Sequence, residues 1–262
     1  MATAAVAAHS TSELMVCAGA RELRDGMLAV VGLGIPQVAA GLAALTHAPG
    51  LRVLNEIGVA DPRPVEFGVG NADPRHWYRA QAFSSFVGIM GMVLHRGLVD
   101  IGFLGALEVD PYGNANATEV ETEGRQGVRR FGGGGGANDV ASLARRTVII
   151  VRHEPRRLVE RVRHVTNPGF LTGGRSREEA GLRGGGPLRV LTDKCVFGFD
   201  EATRRLRLTS IHPGVTDAEL CAATGFELRI PTGIPRTPVP TERELLLIRN
   251  VIDPERRYTT AF

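Results

Sequence analysis

The sequence has few aromatic residues (5%), three cysteines, one lysine and no hydrophobic run long enough to cross a membrane. Cys17, Cys195 and Cys221 lie far apart and form no CxxC pair, which argues against a disulfide framework or a zinc site. The N-terminus is rich in alanine but has neither the positive start nor the long apolar segment of a signal peptide. We therefore expect a cytoplasmic protein with no membrane segment and no metal site.

The charge of the chain is nearly balanced, with a formal net charge of +3 and Lys194 as the sole lysine. This composition does not give the basic face with interleaved aromatic rings that is typical of nucleic-acid binding, so we expect no nucleic-acid partner. Hydrophobic residues make up 43% of the chain. A core of Val, Leu and Ala favours a helix-and-sheet protein over a β-sandwich.

Residues 27–54 predict a βαβ unit that follows an N-terminal helix. A helix is expected over Glu13–Arg24, followed by a buried strand at residues 27–31. Gly32 and Gly34 then form a turn, Pro36 begins a second helix, and a second strand follows at residues 51–54. The short loops imply that the two strands are parallel, with a right-handed crossover.

The rest of the chain continues this alternation of helices and strands. The predicted elements are a buried helix at 84–95, strands at 99–107 and 147–151, exposed loops at 121–131 and 173–186, a helix near 156–163, a hairpin formed by 188–199 and 205–211, and helices with capping boxes at Thr216/Glu219 and Thr241/Glu244. We therefore predict one α/β domain over residues 1–262, with residues 1–12 disordered. Its sheet is open, mostly parallel and flanked by helices, and a β-hairpin and helices lie at the C-terminal end.

Glu56 lies at the carboxyl end of the second predicted strand. Ligands collect at this edge of an open α/β sheet, and a fixed, partly desolvated glutamate is a competent nucleophile toward an activated acyl group. On position alone, a solvated surface charge is the stronger interpretation of a glutamate at a strand end.

The five glycines Gly132–Gly136, with Ala137 and Asn138, form a second candidate site. Glycines let backbone amides approach a ligand, and the start of a helix adds further N–H groups, so the segment could bind a phosphate or an oxyanion. A flexible loop is the alternative. The segment is not a Walker loop, because no Gly-Lys-Ser/Thr follows, and the Gly32-x-Gly34 pair lacks the third glycine of a dinucleotide fingerprint.

Seven segments in the same order along the chain resemble the β subunit of glutaconate CoA-transferase, a class I CoA-transferase. They are NEIGVADPRPVE at 55–66, GALEVDPYGNAN at 105–116, FGGGGGAN at 131–138, HEPRR at 153–157, VTNPG at 165–169, VLTDK at 190–194 and TGF at 224–226. Residues 67–98 resemble the family least.

The resemblance implies a ping-pong reaction in which Glu56 attacks an acyl-CoA thioester and then carries CoA as an enzyme thioester. It further implies oxyanion and CoA contacts from Gly133, Gly135, Gly136, Ala137 and Asn138, and an active-site loop with Glu108, Asp110, Gly113 and Asn114. It implies no tightly bound cofactor, since the CoA thioester is a substrate. It also implies an α-type partner subunit, in a heterotetramer or a larger complex, because the family's active site lies between two related halves.

Two departures from the family pattern keep other functions open. Ile57 replaces a small polar residue, and Glu108 replaces a glutamine in the turn. A second carboxylate near Glu56 could make it a general base. The alternatives are an acyl-CoA hydrolase, a ring-opening or carbon–carbon-cleaving enzyme, a decarboxylase, and a non-catalytic sensor of a CoA ester or sugar phosphate.

Overall fold

The computed structural model describes residues 8–64, 66–70, 72–121 and 127–260. Thirteen strands occur in this part of the chain: β1 Leu28–Val31, β2 Arg52–Asn55, β3 Val59–Ala60, β4 Ala82–Phe83, β5 Ile101–Gly105, β6 Glu108–Val109, β7 Ala115–Asn116, β8 Glu119–Glu121, β9 Val128–Arg130, β10 Arg146–Ile150, β11 Pro187–Leu191, β12 Cys195–Phe199 and β13 Leu206–Ile211. The α-helices within the described ranges are α1 Thr11–Ala20, α2 Ile35–Leu45, α3 Ala137–Leu143, α4 Ser176–Glu179, α5 Asp217–Ala223 and α6 Glu242–Leu247. A 3₁₀ turn at Pro74–Trp77 and π-helices at Val87–Leu94 and Ile248–Ile252 complete the set.

Nine of these strands form one sheet in the order β13-β12-β11-β10-β5-β1-β2-β3-β4. The five central strands, from β11 to β2, are parallel, whereas the two strands at each edge are antiparallel. The prediction of an open, mostly parallel sheet flanked by helices is confirmed, as is the antiparallel hairpin near the C-terminal end. Because the central strands are parallel, their carboxyl ends meet at one edge.

The sheet is covered by helices on both faces, and each face has its own hydrophobic cluster. Buried residues of α1 and α2 pack with Ile101, Phe103 and Val148 on one face. On the other face the π-helix Val87–Leu94 and α3 pack with Val30, Leu54 and Leu104. Consecutive residues of β1 and β2 thus point to opposite faces, and Asn55 and Glu56 are carried to the rim of the sheet.

The local predictions are largely confirmed. Both predicted capping boxes form with reciprocal hydrogen bonds, at Thr216/Glu219 and at Thr241/Glu244. A third capping box joins Ser10 to Glu13, so α1 begins inside the stretch that we expected to be disordered. Residues 1–7 lie outside the described part of the chain.

Predictions for four segments need correction, and one of them is the surface loop expected at 173–186, which contains α4 and the buried side chain of Arg177. No helix forms at 156–163, because Leu158 and Val159 bridge to Val109 and Gly225 across the chain. Segment 188–199 is two strands, since a turn that Thr192 stabilises separates β11 from β12. The expected loop 121–131 contains β9 paired with β8, while residues 122–126 lie outside the described ranges.

None of the helices in the described ranges combines the length and the apolar composition that a membrane span requires.

Candidate active site

A cleft of about 580 Å³ opens at the carboxyl edge of the sheet. It is bordered by the ends of β1, β2, β5 and β10 and by the glycine segment and the C-terminal segment. We call it the Glu56 cleft; its polar or charged lining residues are Asn55, Glu56, Arg152, Arg157, Arg257 and Tyr258. Among the described residues that line it, Glu56 is the one acidic residue. The cleft therefore combines a single carboxylate with three guanidinium groups.

The Glu56 turn is fixed by its neighbours in sequence and by a distant loop. Asn55 Oδ1 accepts a hydrogen bond from the Ile57 amide at 3.2 Å, and the Asn55 carbonyl accepts one from Gly58 at 3.1 Å. Gly58 has φ +108°, and a Cβ there would lie 2.8 Å from the carbonyl carbon of Ser84. Only glycine fits this position, so the turn packs directly on the backbone that leads into Val87–Leu94.

The structure brings Glu56 and the five-glycine segment together. The Gly136 amide donates a hydrogen bond to Glu56 Oε2 at 3.1 Å. The position that a Cβ of Gly135 would occupy lies 4.0 Å from Glu56 Oε1. Glu56 is half-buried, and its carboxylate is thus held at a backbone donor beside an open cleft.

The glycine segment turns sharply before α3. Gly133 and Gly135 have φ of +76° and +50°, and Gly136 is the N-cap of the helix, ahead of the predicted cap Asn138. The Ala137 amide bonds to the Gly134 carbonyl, and both residues line the cleft. Asn138 instead donates through Nδ2 to the Thr166 carbonyl. Of the five residues predicted here, Gly136 contacts Glu56, whereas Asn138 anchors the segment.

The residues of the turn at 110–114 do not line the Glu56 cleft and instead connect other parts of the fold. The Asp110 carboxylate accepts bonds from the amides of Tyr112 and Asn114 and from Asn114 Nδ2, at 2.8–3.0 Å. Burial raises the pKa of this carboxyl group. Asn114 Oδ1 in turn accepts from the amides of Gly169 and Leu171. Gly113, at φ +70°, packs against Phe199, so the turn ties the C-terminal hairpin to loop 167–171.

Glu108 does not line the Glu56 cleft. Its buried carboxylate accepts bonds from Asn116 Nδ2 at 2.7 Å and from the Arg163 amide at 3.1 Å. Glu108 lines a second cleft together with Leu107. The carboxylates of Glu56 and Glu108 therefore do not form a pair within this chain.

Four residues of the cleft were not identified from the sequence. Arg152 and Arg157 follow β10, and the HEPRR segment at 153–157 was the signal that could have pointed to them. Arg257 and Tyr258 arrive from the other end of the chain. Tyr258 donates to the carbonyls of residues 67 and 68, and no local pattern announces this contact.

No group of three or more His, Cys, Asp or Glu side chains in the described ranges is placed to hold a metal ion.

Comparison with known proteins places these features in a family. The sequence profile described as Coenzyme A transferase matches residues 13–222. The chain belongs to the coenzyme A transferase family. The predicted resemblance is confirmed.

Two relatives of this coenzyme A transferase are named as B-type subunits of CoA-transferases. The chain is 34% identical to the B-type subunit of 3-oxoadipate CoA-transferase from Pseudomonas knackmussii, over 93% of this chain and 94% of the relative. It is 32% identical to the B-type subunit of glutaconate CoA-transferase from Acidaminococcus fermentans, over 95% of each. The crystal structure of glutaconate coenzyme A-transferase from Acidaminococcus fermentans superposes with a TM-score of 0.89 at 31% identity, covering 97% of this chain and 99% of that one.

Proposed function

We propose that this chain is the nucleophile-bearing B-type subunit of a heteromeric enzyme that moves CoA from an acyl-CoA thioester to a carboxylic acid. The observation that carries the proposal is the Glu56 carboxylate, held by the Gly136 amide at the carboxyl edge of the parallel sheet. The relatives named as B-type subunits of CoA-transferases support it.

The reaction has four steps in which Glu56 is first nucleophile and then carrier. A Glu56 oxygen attacks the thioester carbon; the carbon–sulfur bond breaks, leaving CoA thiolate and a mixed anhydride. The thiolate then attacks the glutamyl carbonyl and expels the first carboxylate, giving a Glu56–CoA thioester. An acceptor carboxylate attacks this thioester and forms a second anhydride, releasing thiolate. The thiolate attacks the acceptor-side carbonyl, which yields the new acyl-CoA and restores the Glu56 carboxylate.

The Gly136 amide has a defined part in the two middle steps. Both pass through a tetrahedral centre at the glutamyl carbon, and negative charge develops on the glutamyl oxygen. Oε2 already accepts the Gly136 hydrogen bond in the resting carboxylate. The same N–H, without moving, stabilises the oxyanion when charge returns to that oxygen.

The lining of the Glu56 cleft favours transfer over hydrolysis. A hydrolase needs a group that activates water, and the second carboxylate that could do so, Glu108, accepts hydrogen bonds from Asn116 and Arg163 outside this cleft. The intermediates are anhydrides and thioesters, so transfer also requires that water be excluded. We propose that the partner subunit closes the open cleft and excludes water from it.

An A-type subunit is the partner that we infer. Phe83, Val87 and Met92 are 67%, 67% and 63% exposed on the segment that packs on the Glu56 turn. Large apolar groups exposed together are typical of a protein interface. A partner on this surface would complete the site beside Glu56.

We further infer a cytoplasmic enzyme without a resident cofactor or metal. The three cysteines are free thiols, which suits a reducing compartment. Every bond change in the reaction uses the glutamate and the two substrates. Dicarboxylic acids such as 3-oxoadipate and glutaconate are the first acceptors to test, because the two relatives are named for these acids.

The test is to trap the Glu56 thioester in the co-expressed complex with the A-type subunit. Incubation with acyl-CoA and borohydride should reduce residue 56 to the alcohol, which peptide mass spectrometry locates. Glu56→Gln should lower transfer by roughly 10³-fold or more, since nucleophile removal usually costs at least that much. Glu201→Gln, an exposed glutamate on the β12–β13 turn, is the matched control.

Full transfer activity in Glu56→Gln would disprove the role of this residue. Turnover with water alone, without exchange of labelled CoA, would favour the hydrolytic or carbon–carbon-cleaving alternative. Thermal stabilisation by CoA esters without any turnover would favour the sensor.

A further inference from the structure

A pocket of about 530 Å³ lies beside the Glu56 cleft and has mostly apolar walls. We call it the apolar pocket; it is lined by residues of α2, of β2, of the loop after β3 and of the π-helix Ile248–Ile252. Its volume falls within the range of roughly 300–1,000 Å³ that is typical of pockets for small molecules. The pocket is therefore large enough to hold a small organic group.

Small residues on one face of α2 make room for the apolar pocket. Ala40, Gly41 and Ala44 line it from the helix. A Cβ at Gly41 would lie 3.1 Å from Phe67 Cζ and 3.2 Å from Ile252 Cγ2, so these two side chains are packed directly against the helix backbone. Ala44 is half-buried at the same wall. A larger side chain at position 44 would therefore fill part of the pocket.

The apolar pocket is continuous with the Glu56 cleft. Val31, Leu33 and Asn55 line both, and Asn55 immediately precedes Glu56 in the chain. Tyr258, which lines the Glu56 cleft, donates to the carbonyl of Phe67, which lines the pocket. A molecule that reacts at Glu56 can thus extend into the pocket without leaving the protein surface.

The charged groups of the apolar pocket balance one another. Among the described residues that line it, Asp61 and Arg63 are the charged ones, and they form an ion pair at 3.0 Å. Burial lowers the pKa of His76, a further lining residue, so its imidazole is neutral at pH 7. Because an ionised carboxylate is costly to desolvate without a partner, the pocket suits an uncharged group and disfavours a second carboxylate.

The rim of the apolar pocket is open and apolar. Leu33, Leu45 and Val251 line it and are 37%, 48% and 53% exposed. Exposed apolar side chains that lie together indicate a surface that binds an apolar ligand or a partner. Continuity with the Glu56 cleft favours the part of a substrate that is joined to the reacting carbonyl.

We propose that the apolar pocket binds the acyl group of the donor thioester, and that this group is an uncharged alkyl chain or ring. The inference rests on the proposed function, because it takes an acyl-CoA as the substrate. It also separates this chain from its relatives, which are named for dicarboxylic acids. An apolar acyl group gains affinity by burial against Val31, Phe67 and Ile252, whereas a dicarboxylic one would carry its second charge into the same apolar walls.

The experiment measures binding rather than turnover. Acyl-CoA thioesters are titrated calorimetrically into the co-purified complex of the Glu56→Gln chain with the A-type subunit, in which no nucleophile consumes them. From acetyl-CoA to octanoyl-CoA, the Kd should fall by roughly fourfold for each methylene group that enters the pocket. Glutaryl-CoA has the shape of 5-methylhexanoyl-CoA but carries a carboxylate, and it should bind at least about tenfold more weakly than that ester.

A variant that narrows the pocket tests its position. Ala44→Leu, made in the same Glu56→Gln chain, should end the gain in affinity about three carbon atoms earlier in the series, since it adds that number of carbons to a close-packed wall. Ala202→Leu adds the same atoms to the exposed β12–β13 turn and should leave the series unchanged. The comparison of chain lengths without Ala44→Leu tests the proposal even if that variant folds poorly.

A Kd that does not depend on chain length would overturn the proposal, and so would tighter binding of glutaryl-CoA than of 5-methylhexanoyl-CoA. Dissociation of the complex by Ala44→Leu in gel filtration would identify the pocket as a subunit contact and would also count against it. Trapping of the Glu56 thioester tests the proposed function separately. If trapping fails while the Kd follows chain length, the transfer reaction is wrong and the acyl pocket stands.

Discussion

Replacing Gly136 by alanine tests the link between the glycine segment and Glu56 with one added methyl group. The backbone at Gly136 has φ −74° and ψ −8°, a helical conformation that alanine adopts without strain. Any effect therefore comes from the methyl group itself. A Cβ at this position overlaps Glu56 Oε2 and lies 2.8 Å from Met90 Cε.

The geometry sets the expected size of the effect. To regain ordinary van der Waals separation, the Glu56 oxygen must retreat by about 1 Å. Its hydrogen bond to the Gly136 amide, 3.1 Å in the structure, is then broken or bent. A misplacement of about 1 Å can cost about 10² in rate, and loss of one oxyanion donor costs about 10²–10³. We expect transfer to fall by roughly 10²–10³-fold, with little change in unfolding temperature, since the new methyl group displaces flexible side chains only.

The assay is acyl transfer by the complex with the A-type subunit, together with thermal unfolding. Gly132→Ala is the matched control, because a Cβ there meets no atom within 4 Å and its backbone is not in the left-handed region. The control should retain activity. If Gly136→Ala were as active as Gly132→Ala, the amide would not act on Glu56 and the oxyanion argument would be refuted.

Two further predictions concern buried charge. Arg177 is 4% exposed and donates hydrogen bonds to five backbone carbonyls. Arg177→Leu should therefore lower the unfolding free energy, measured by urea titration, by roughly 3 kcal/mol. Arg175→Leu, a control exposed on the adjoining turn, should cost far less, and an equal loss in both variants would contradict the argument. Burial lowers the pKa of His153 to about 4 from 6.5. The unfolded chain then binds more protons between these values, and stability is lost as the pH falls through this window, by about 3 kcal/mol at pH 4. Denaturant titrations from pH 7 to pH 4 should show a smaller loss of unfolding free energy in His153→Gln than in the wild type or in the exposed control His47→Gln. If the unfolding free energy of His153→Gln fell with pH as steeply as that of the wild type, His153 would not be the cause.

Signals that are local in sequence allowed much of the fold to be predicted. The capping boxes join residues three positions apart, and the structure has the expected reciprocal bonds at Thr216 and Thr241. The parallel pairing of β1 with β2 followed from the short loops around α2. Glu56, at a strand end, and the glycine segment, before a helix, could be proposed as one site because the family resemblance includes the motifs that carry both.

Features that depend on distant contacts could not be predicted. The helix expected at 156–163 has suitable residues, but Val159 forms a bridge with Gly225 and its amide bonds to Val109. Such tertiary pairing overrides a weak helix preference. Arg177 lies in a stretch rich in glycine and arginine that indicated a surface loop, although its side chain is buried. Burial of a single long side chain leaves no periodic pattern to detect.

The Glu56–Gly136 contact depends on supports that are themselves far from the carboxylate. On one side Gly58 packs on the backbone of Ser84, and the Ser84 amide donates to the Gly58 carbonyl at 2.7 Å. On the other side Asn138 is anchored to the Thr166 carbonyl, at the end of the segment that carries Gly136. A nucleophile must be held within about half an ångström of its productive geometry, and supporting hydrogen bonds provide that restraint. Gly58 therefore fixes the side of the contact that carries Glu56, and Asn138 fixes the side that carries Gly136. Both residues are needed for the hydrogen bond between Glu56 and the Gly136 amide, which joins two segments that are far apart in the sequence.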